Sequence, residues 1–133
     1  MPKGISLDFQ FTSPIDRVWT AMTDPITLSK WMYPNDFKAV VGHKFQFRAE
    51  PSQWWDGIVN CEVLEIEEPN KLKYSWISGG EMTVVTWTME QADDGTTRAH
   101  LEQWGFEGEQ SFQGASWGWP RMVDQLQAAL AQL

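Results

Sequence analysis

Five consecutive segments alternate apolar and polar side chains, and this pattern constrains the fold more than any other feature of the sequence. The segments span residues 44–50, 57–70, 71–78, 82–91 and 97–106. Alternation with a period of two is typical of strands that bury one face. Because the turns between the segments are short, we expect neighbouring strands to pair antiparallel. The sheet then has one apolar face, which another element must cover.

Two short helices are predicted before the central strands. Residues 4–11 alternate like the later segments, so the chain opens with a strand. Ser13 is a favourable N-cap with Pro14 at the first helical position, and Asp24 followed by Pro25 repeats this signal. The two helices therefore follow one another directly, between the first strand and the rest of the sheet.

The C-terminal stretch is the predicted cover of the sheet, because its apolar residues recur at three- and four-residue spacing. They are Trp119, Met122, Val123, Leu126, Ala129, Leu130 and Leu133. A further short strand is predicted over residues 37–41. The sequence thus predicts a single α+β domain over residues 1–133. In it, a curved antiparallel sheet of about seven strands wraps around a long C-terminal helix.

Charge and composition argue against several classes of protein. The net charge is −8, from 18 acidic and 10 basic residues, which disfavours binding to nucleic acid or to anionic membrane surfaces. No segment approaches the roughly 20 apolar residues of a transmembrane helix, and no apolar stretch of signal-peptide length opens the chain. Cys61 is the single cysteine and has no partner for an intramolecular disulfide, which favours a cytoplasmic protein.

The sequence predicts neither a metal nor a cofactor. His43, His100 and Cys61 are too dispersed for a zinc site, and no glycine-rich loop opens a helix to bind phosphate. Cys61 alternates with Val59 and Val63 along a strand, which is typical of an inert buried thiol. No serine, histidine and aspartate share the local context of a catalytic triad.

Three carboxylates, Asp56, Glu81 and Glu102, are positioned to border a cavity over the apolar face of the sheet. A carboxylic acid buried among tryptophans has a raised pKa and can act as a general acid. A solvated or helix-capping carboxylate is the more common case at such positions. Both interpretations stay open from the sequence.

Nine tryptophans in 133 residues either fill a core with partly exposed rims or line an aromatic cavity, the usual form of a small-molecule site. Trp76 and Trp87 face inward by strand parity, whereas Trp19 and Trp119 are attributed to packing. Gln103 is the candidate polar anchor. The predicted ligand-binding residues are Trp31, Phe47, Trp54, Trp55, Trp76, Trp87, Gln103, Trp104, Trp117 and Met122.

Six stretches taken together resemble one family: residues 13–34, 41–50, 54–76, 84–90, 95–106 and 118–130. They are similar to bacterial single-domain proteins related to the C-terminal domain of the activator of the heat-shock protein 90 ATPase. That family belongs to the START-like (SRPBCC) superfamily, whose fold is called helix-grip. The resemblance covers nearly the whole chain, although His43 stands where the family usually has a second glycine, and Pro120 lies inside what is normally helix.

The resemblance implies a cavity between the sheet and the last helix, since relatives bind lipids, polyketides or aromatic compounds there. The leading hypothesis is therefore non-enzymatic binding of a hydrophobic or aromatic small molecule. One alternative is an enzyme of the cyclase or hydrolase kind that uses a cavity carboxylate. Another is a chaperone accessory protein in the stress response, acting through its outer surface. An exposed edge strand also makes a homodimer plausible.

Pro120 leaves two possibilities for the last helix. If the helix begins before Trp117, the carbonyl of Ser116 loses its usual amide partner and the helix is expected to kink. If it begins near Trp117, the proline lies in the first turn and costs little. The resemblance favours the kink, because the family's helix begins before the glycine–tryptophan pair.

Overall fold

The computed structural model describes residues 3–53 and 55–132, and over these ranges the chain forms three helices and six strands. Their order along the chain is β1 (Lys3–Phe11), α1 (Ile15–Thr23), α2 (Pro25–Trp31), β2 (Lys44–Arg48), β3 (Ile58–Glu67), β4 (Lys71–Ser78), β5 (Glu81–Gln91), β6 (Thr97–Phe106) and α3 (Glu109–Leu130). The strands form one sheet in the order β1-β6-β5-β4-β3-β2, and every pair is antiparallel. The predicted α+β architecture is confirmed.

The predicted strand at residues 37–41 is not formed, so the described sheet has six strands rather than about seven. Local hydrogen bonds replace the strand pairing: the side chain of Asn35 accepts from the N–H of Phe37 at 3.0 Å, and Val40 N–H donates to the carbonyl of Lys38 at 2.8 Å. Phe37 is buried, whereas the side chains of Val40 and Val41 are exposed. The apolar run belongs to a loop that places one ring in the core.

The two short helices begin with different caps. The Asp24 carboxylate accepts from the N–H of Thr27 at 3.0 Å, which confirms it as the N-cap of α2. The prediction of Ser13 as the cap of α1 is wrong, since Pro14 occupies that position and no side chain of the helix caps it. The side chain of Gln91, from β5, instead accepts from the first helical N–H, that of Ile15, at 2.9 Å. This partner is remote in sequence, so local pattern does not reveal it.

The helix α3 lies against the apolar face of the sheet and buries Trp119, Val123, Leu126 and Leu130 in the core. Its first residue is Glu109, so Pro120 lies in the helix interior and the first-turn alternative is wrong. The backbone is helical on both sides of the proline, and the kink itself stays a prediction. In the part of the chain that the structure describes, no helix is both long and apolar enough to cross a membrane.

Alternation along the strands decides which side chains face the helix, and the strand pairing shifts register at two places. One shift lies between Lys3 and Gly4, at the start of β1. The pairing of β3 with β4 shifts register between Val63 and Glu65. An extra residue of this kind is a β-bulge, which bends a strand and increases its twist. The break in apolar alternation near Leu64 in the sequence indicates this bulge.

Candidate ligand-binding pocket

A pocket of about 310 Å³ lies between the apolar face of the sheet and the N-terminal half of α3. This volume is at the lower end of the roughly 300–1,000 Å³ typical of small-molecule sites. Its lining residues are Tyr33, Trp55, Val59, Trp76, Ser78, Glu81, Thr83, Gln103, Phe106, Ser111, Gly114, Ala115, Gly118, Trp119 and Met122. Apolar and aromatic side chains dominate this set, with a few polar groups among them.

The aromatic surface of the pocket comes from both layers, Trp76 of β4 and Trp119 of α3. The rings of Trp76 and Trp119 lie with centroids 5.9 Å apart at an interplanar angle of 50°. Behind them, Phe47 lies 5.6 Å from Trp76, and Trp87 lies 5.9 Å from Trp119 in an edge-on arrangement. These are favourable geometries for aromatic pairs. The rings that form the wall are therefore held in place by a second layer of rings in the core.

The helix α3 also contributes small residues to the pocket lining. Gly114, Ala115 and Gly118 face the pocket from α3. A Cβ atom added at Gly114 would meet nothing within 4 Å, and one at Gly118 would meet only the Met122 methyl at 4.0 Å. Neither glycine is needed for close backbone packing or for a positive φ. The two glycines leave space beside the aromatic wall.

Gln103 forms the polar floor, and its side chain is only 1% exposed. Its Oε1 accepts from the indole N–H of Trp119 at 2.7 Å, and its Nε2 donates to the Thr83 hydroxyl at 2.8 Å. An indole nitrogen can only donate, which fixes the orientation of the amide. The buried Gln103 side chain therefore ties β6 to both β5 and α3.

Glu81, at the start of β5, holds the N-terminus of α3. Its carboxylate accepts from the Ser111 hydroxyl at 2.7 Å, and from the N–H groups of Gly108 at 2.9 Å and Glu107 at 3.2 Å. These bonds, led by that from Ser111, hold the pKa of Glu81 below its usual value. The raised pKa expected of a carboxylic acid among tryptophans is therefore wrong for Glu81. The carboxylate is therefore ionised at neutral pH.

The other two candidate carboxylates lie elsewhere. Asp56 accepts from the N–H of Ile58 at 3.0 Å in the loop between β2 and β3. Glu102 accepts from the indole N–H of Trp104 at 3.0 Å on the outer face of the sheet. Neither residue lines the pocket, so the structure does not bring the three carboxylates together.

Four of the predicted ligand-binding residues meet in the pocket: Trp55, Trp76, Gln103 and Met122. Three others, Trp31, Phe47 and Trp87, are buried in the core, each 1% exposed, and lie outside the lining of the pocket. Strand parity predicts that Phe47 and Trp87 point inward. It does not show whether an inward side chain lines a pocket or packs in the core behind it.

Trp104 and Trp117 lie at the surface and outside the pocket, at 52% and 63% exposure. Trp104 follows Gln103 in β6 and points to the opposite face of the sheet, where its ring lies over Gly4. Trp117 is exposed on α3, and the Arg121 guanidinium lies 3.7 Å from the centroid of its ring. The remaining predicted residue, Trp54, falls outside the described residues.

Sequence reasoning missed part of the pocket. Trp119, attributed to packing, both packs in the core and lines the pocket. Tyr33 and Phe106 were not predicted, since they lie near the ends of elements, where strand or helix periodicity gives no direction. Gly114 and Gly118 carried a usable signal, because two glycines one turn apart inside an amphipathic helix weaken it without an evident structural need.

The described residues include no group of three or more histidine, cysteine, aspartate or glutamate side chains that could hold a metal ion. Burial raises the pKa of the Cys61 thiol far above its ordinary value, and the charge of Asp36 adds to this. A thiol held protonated in this way is a poor nucleophile. The properties of the pocket that bear on ligand binding are its shape, its aromatic surface and a few hydrogen-bonding groups.

A curved antiparallel sheet that grips a long C-terminal helix, with a pocket between the two, defines a helix-grip domain of the START-like superfamily. A family model described as Activator of Hsp90 ATPase homolog 1-like protein matches residues 12–131, and the chain belongs to this family. A comparison with the curated proteins finds no match.

Several solved structures share the fold. Protein MLL2253 from Mesorhizobium loti is 31% identical, with a TM-score of 0.89 over 98% of each chain. CalU16 from Micromonospora echinospora is 24% identical, with a TM-score of 0.81 over 97% of this chain and 76% of that chain. DynU16, described as a putative protein in the dynemicin biosynthetic locus, is 20% identical, with a TM-score of 0.81 over 96% of this chain and 47% of that chain. The similarity to CalU16 and to DynU16 shows a shared fold and nothing further.

Proposed function

We propose that the protein binds a compact hydrophobic or aromatic small molecule in the pocket between the sheet and α3, without transforming it. The observation that carries this proposal is the open space that Gly114 and Gly118 leave in a pocket bordered by the rings of Trp76 and Trp119. Aromatic surface and space left by small residues border the same pocket, which suits a compact apolar guest.

The glycines support a binding role because they cost stability. A glycine in a helix interior is about 1 kcal/mol less favourable than alanine. Common structural reasons for such a glycine are a positive φ or a close approach of backbone, and neither applies at Gly114 or Gly118. Larger side chains at these positions would fill the pocket. The space is therefore the feature that the two glycines preserve.

The energetics favour a compact apolar guest. Burial of apolar surface contributes about 25 cal/mol per Å², and each favourable aromatic contact adds about 0.5–1.5 kcal/mol beyond that area. The rings of Trp76 and Trp119 are already fixed by the core, so little ordering is needed on binding. A pocket of about 310 Å³ suits a small fused-ring compound better than a long acyl chain.

A catalytic role receives no support from the pocket. Among the described residues that line it, Glu81 is the one carboxylate, and its two oxygens are occupied in holding α3. None of these described lining residues is a histidine, cysteine or lysine. General acid–base chemistry needs a group that can exchange a proton near neutral pH, and binding alone requires none.

Gly118→Leu tests the proposal, because the leucine side chain would occupy the space opposite Trp76. We expect it to abolish saturable quenching of tryptophan fluorescence by lipophilic probes such as naphthalene. The free energy of unfolding should stay equal or rise, since leucine is the better helix former.

The matched control is Gln125→Leu, an exposed substitution on the same helix outside the pocket. It should leave quenching unchanged. If no member of a panel of lipophilic compounds gives a saturable response with the unaltered protein, or if Gly118→Leu responds equally well, the proposed function is wrong.

A further inference from the structure

The charge that borders the pocket is negative. Among the described residues that line it, Glu81 is the one carboxylate, and none is a lysine or an arginine. The hydrogen bonds from Ser111, Gly108 and Glu107 hold the pKa of Glu81 below its usual value, so its carboxylate is ionised at neutral pH. A guest in the pocket therefore lies beside a negative charge.

The Glu81 carboxylate is within reach of a guest. Glu81 is partly exposed, and its partners Ser111 and Gly108 are exposed. Among the described residues, its Oε1 accepts a single hydrogen bond, from the Ser111 hydroxyl at 2.7 Å, while Oε2 accepts from two N–H groups. A carboxylate offers about four acceptor sites over its two oxygens. Oε1 can therefore accept one further hydrogen bond without loss of those that hold α3.

An aromatic ring lies next to this carboxylate. In the pairing of β4 with β5, Ser78 is opposite Glu81, and the next inward position pairs Trp76 with Thr83. Glu81 and Trp76 are therefore diagonal neighbours on one face of the sheet, with backbone positions roughly 7–8 Å apart. Trp76 is partly exposed and lines the pocket. Because the face of a tryptophan ring attracts cations, the ring and the carboxylate favour the same kind of guest.

Positive charge at the start of α3 balances Glu81 only in part. The N–H groups of Glu107 and Gly108 bring the partial charge of a helix N-terminus, equivalent to about half an elementary charge, to the carboxylate. The ammonium group of Lys3 forms a salt bridge with Glu109, in the first turn of the helix. A net negative charge therefore remains at the pocket for a guest to balance.

We propose that the pocket selects a compact aromatic compound that carries an ammonium group, with its ring system against Trp76 and its ammonium group beside Glu81. This rests on the proposed function and adds the chemical class of the ligand. Apolar contact with the aromatic lining provides most of the affinity, and the positive charge provides the selectivity. An anion of the same size is repelled, and an uncharged compound gains no attraction from the carboxylate.

Three probes of one ring system test this class: the cation 2-naphthylmethylammonium, the neutral alcohol 2-naphthalenemethanol and the anion 2-naphthoate. The cation and the alcohol are isosteric and both can donate a hydrogen bond, so they differ chiefly in charge. Dissociation constants come from isothermal titration calorimetry at neutral pH. We expect the cation to bind about fivefold more tightly than the alcohol, the effect of two unit charges about 4 Å apart in water. We expect 2-naphthoate to bind most weakly.

Salt dependence checks the role of charge in the unaltered protein. Because the Glu81 carboxylate is accessible to solvent, added sodium chloride should screen its attraction for the cation. The preference for the cation over the alcohol should therefore shrink as the salt concentration rises, while the affinity for the alcohol stays nearly constant. A preference that does not change with salt would contradict the proposal.

Glu81→Gln assigns the preference to one residue. The readout is the ratio of the two dissociation constants, cation to alcohol, measured within each variant, so a general change in the pocket cancels. Glu81→Gln should bring this ratio close to one. The control Glu90→Gln removes an exposed charge of the same strand outside the pocket and should leave the ratio as it is in the unaltered protein. If Glu81→Gln retains the full preference, the assignment is wrong, and if it does not fold, the salt dependence decides.

The probes separate failure of this inference from failure of the proposed function. If the cation and the alcohol bind equally well, or if 2-naphthoate binds best, the inferred ligand class is wrong while the binding function stands. If none of the three binds saturably, the proposed function falls, and the ligand class falls with it.

Discussion

Gln103 and Trp104 are neighbours in β6, yet their side chains lie on opposite faces of the sheet. Gln103 is 1% exposed at the pocket floor, whereas Trp104 is 52% exposed on the outer face. Parity predicts this opposition, because successive residues of a strand point to opposite sides. Residue type alone predicts a ligand contact for both, Gln103 as a polar anchor and Trp104 as an aromatic side chain. Only the glutamine lines the pocket.

At the same scale, Glu81 couples the stability of the fold to pH. A carboxylate whose pKa is lowered by folding contributes stability above its unfolded pKa, and that stability is lost as pH falls through the folded pKa. The lowered pKa of Glu81 arises chiefly from the Ser111 hydroxyl and the Gly108 N–H. Its contribution is thus present at neutral pH and fades in acid.

Glu81→Gln should therefore lower the free energy of unfolding at pH 7 and have a diminishing effect below the ordinary glutamate pKa of about 4.3. Urea denaturation at a series of pH values measures this difference. Glu90→Gln, an exposed change on the same strand, is the control and should have little effect at any pH. A Glu81→Gln penalty that grows as pH falls would contradict the account.

At the scale of elements, two of the polar contacts that tie α3 to the sheet lie on either side of the glycines that line the pocket. Glu81 holds the first turn through Ser111 and Gly108, and Gln103 holds the middle of the helix through the indole of Trp119. Gly114 and Gly118 lie between these anchors. The helix therefore spans the pocket without needing side chains to fill it, and a guest can bind without displacing either anchor.

This arrangement predicts opposite effects for two Gly→Ala substitutions. Gly114→Ala should stabilise the protein by up to about 1 kcal/mol, since the new methyl group meets nothing within 4 Å. Gly105→Ala should destabilise it, because Gly105 has a φ of +111° and the added Cβ would lie 3.0 Å from the carbonyl oxygen of Met82. Chemical denaturation of both variants measures the difference. A destabilising Gly114→Ala would show that the helix needs this glycine for packing.

At the scale of the whole molecule, the sequence predicts the architecture well because alternation and helical spacing report burial directly. The strand predicted at residues 37–41 fails because local hydrogen bonds, to Asn35 and within a turn, engage its backbone, and Phe37 alone enters the core. The cap that Gln91 supplies to α1 fails to show in the local pattern for a different reason, since it joins residues 76 positions apart.

The pocket is less predictable than the fold for a related reason. Periodicity shows that Phe47, Trp76 and Trp87 point inward, and all three do. Which of them borders open space depends on what α3 presents opposite each ring. Trp119 lies 5.9 Å from both Trp76 and Trp87, but only Trp76 also borders the pocket that Gly118 lines. Predicting which ring borders the pocket requires the position of α3 relative to the sheet. The local pattern of a single sequence does not give that position.

The most direct test of the account is where a bound probe lies. With methionine methyl groups labelled with ¹³C, intermolecular nuclear Overhauser effects from naphthalene report the distance to each methyl. Met122 lines the pocket, while Met82 is 56% exposed on the outer face of the sheet near Trp104. The account predicts strong effects to the Met122 methyl and none to that of Met82. Effects to Met82 in the absence of any to Met122 would place the guest on the outer surface and contradict a ligand site beneath α3.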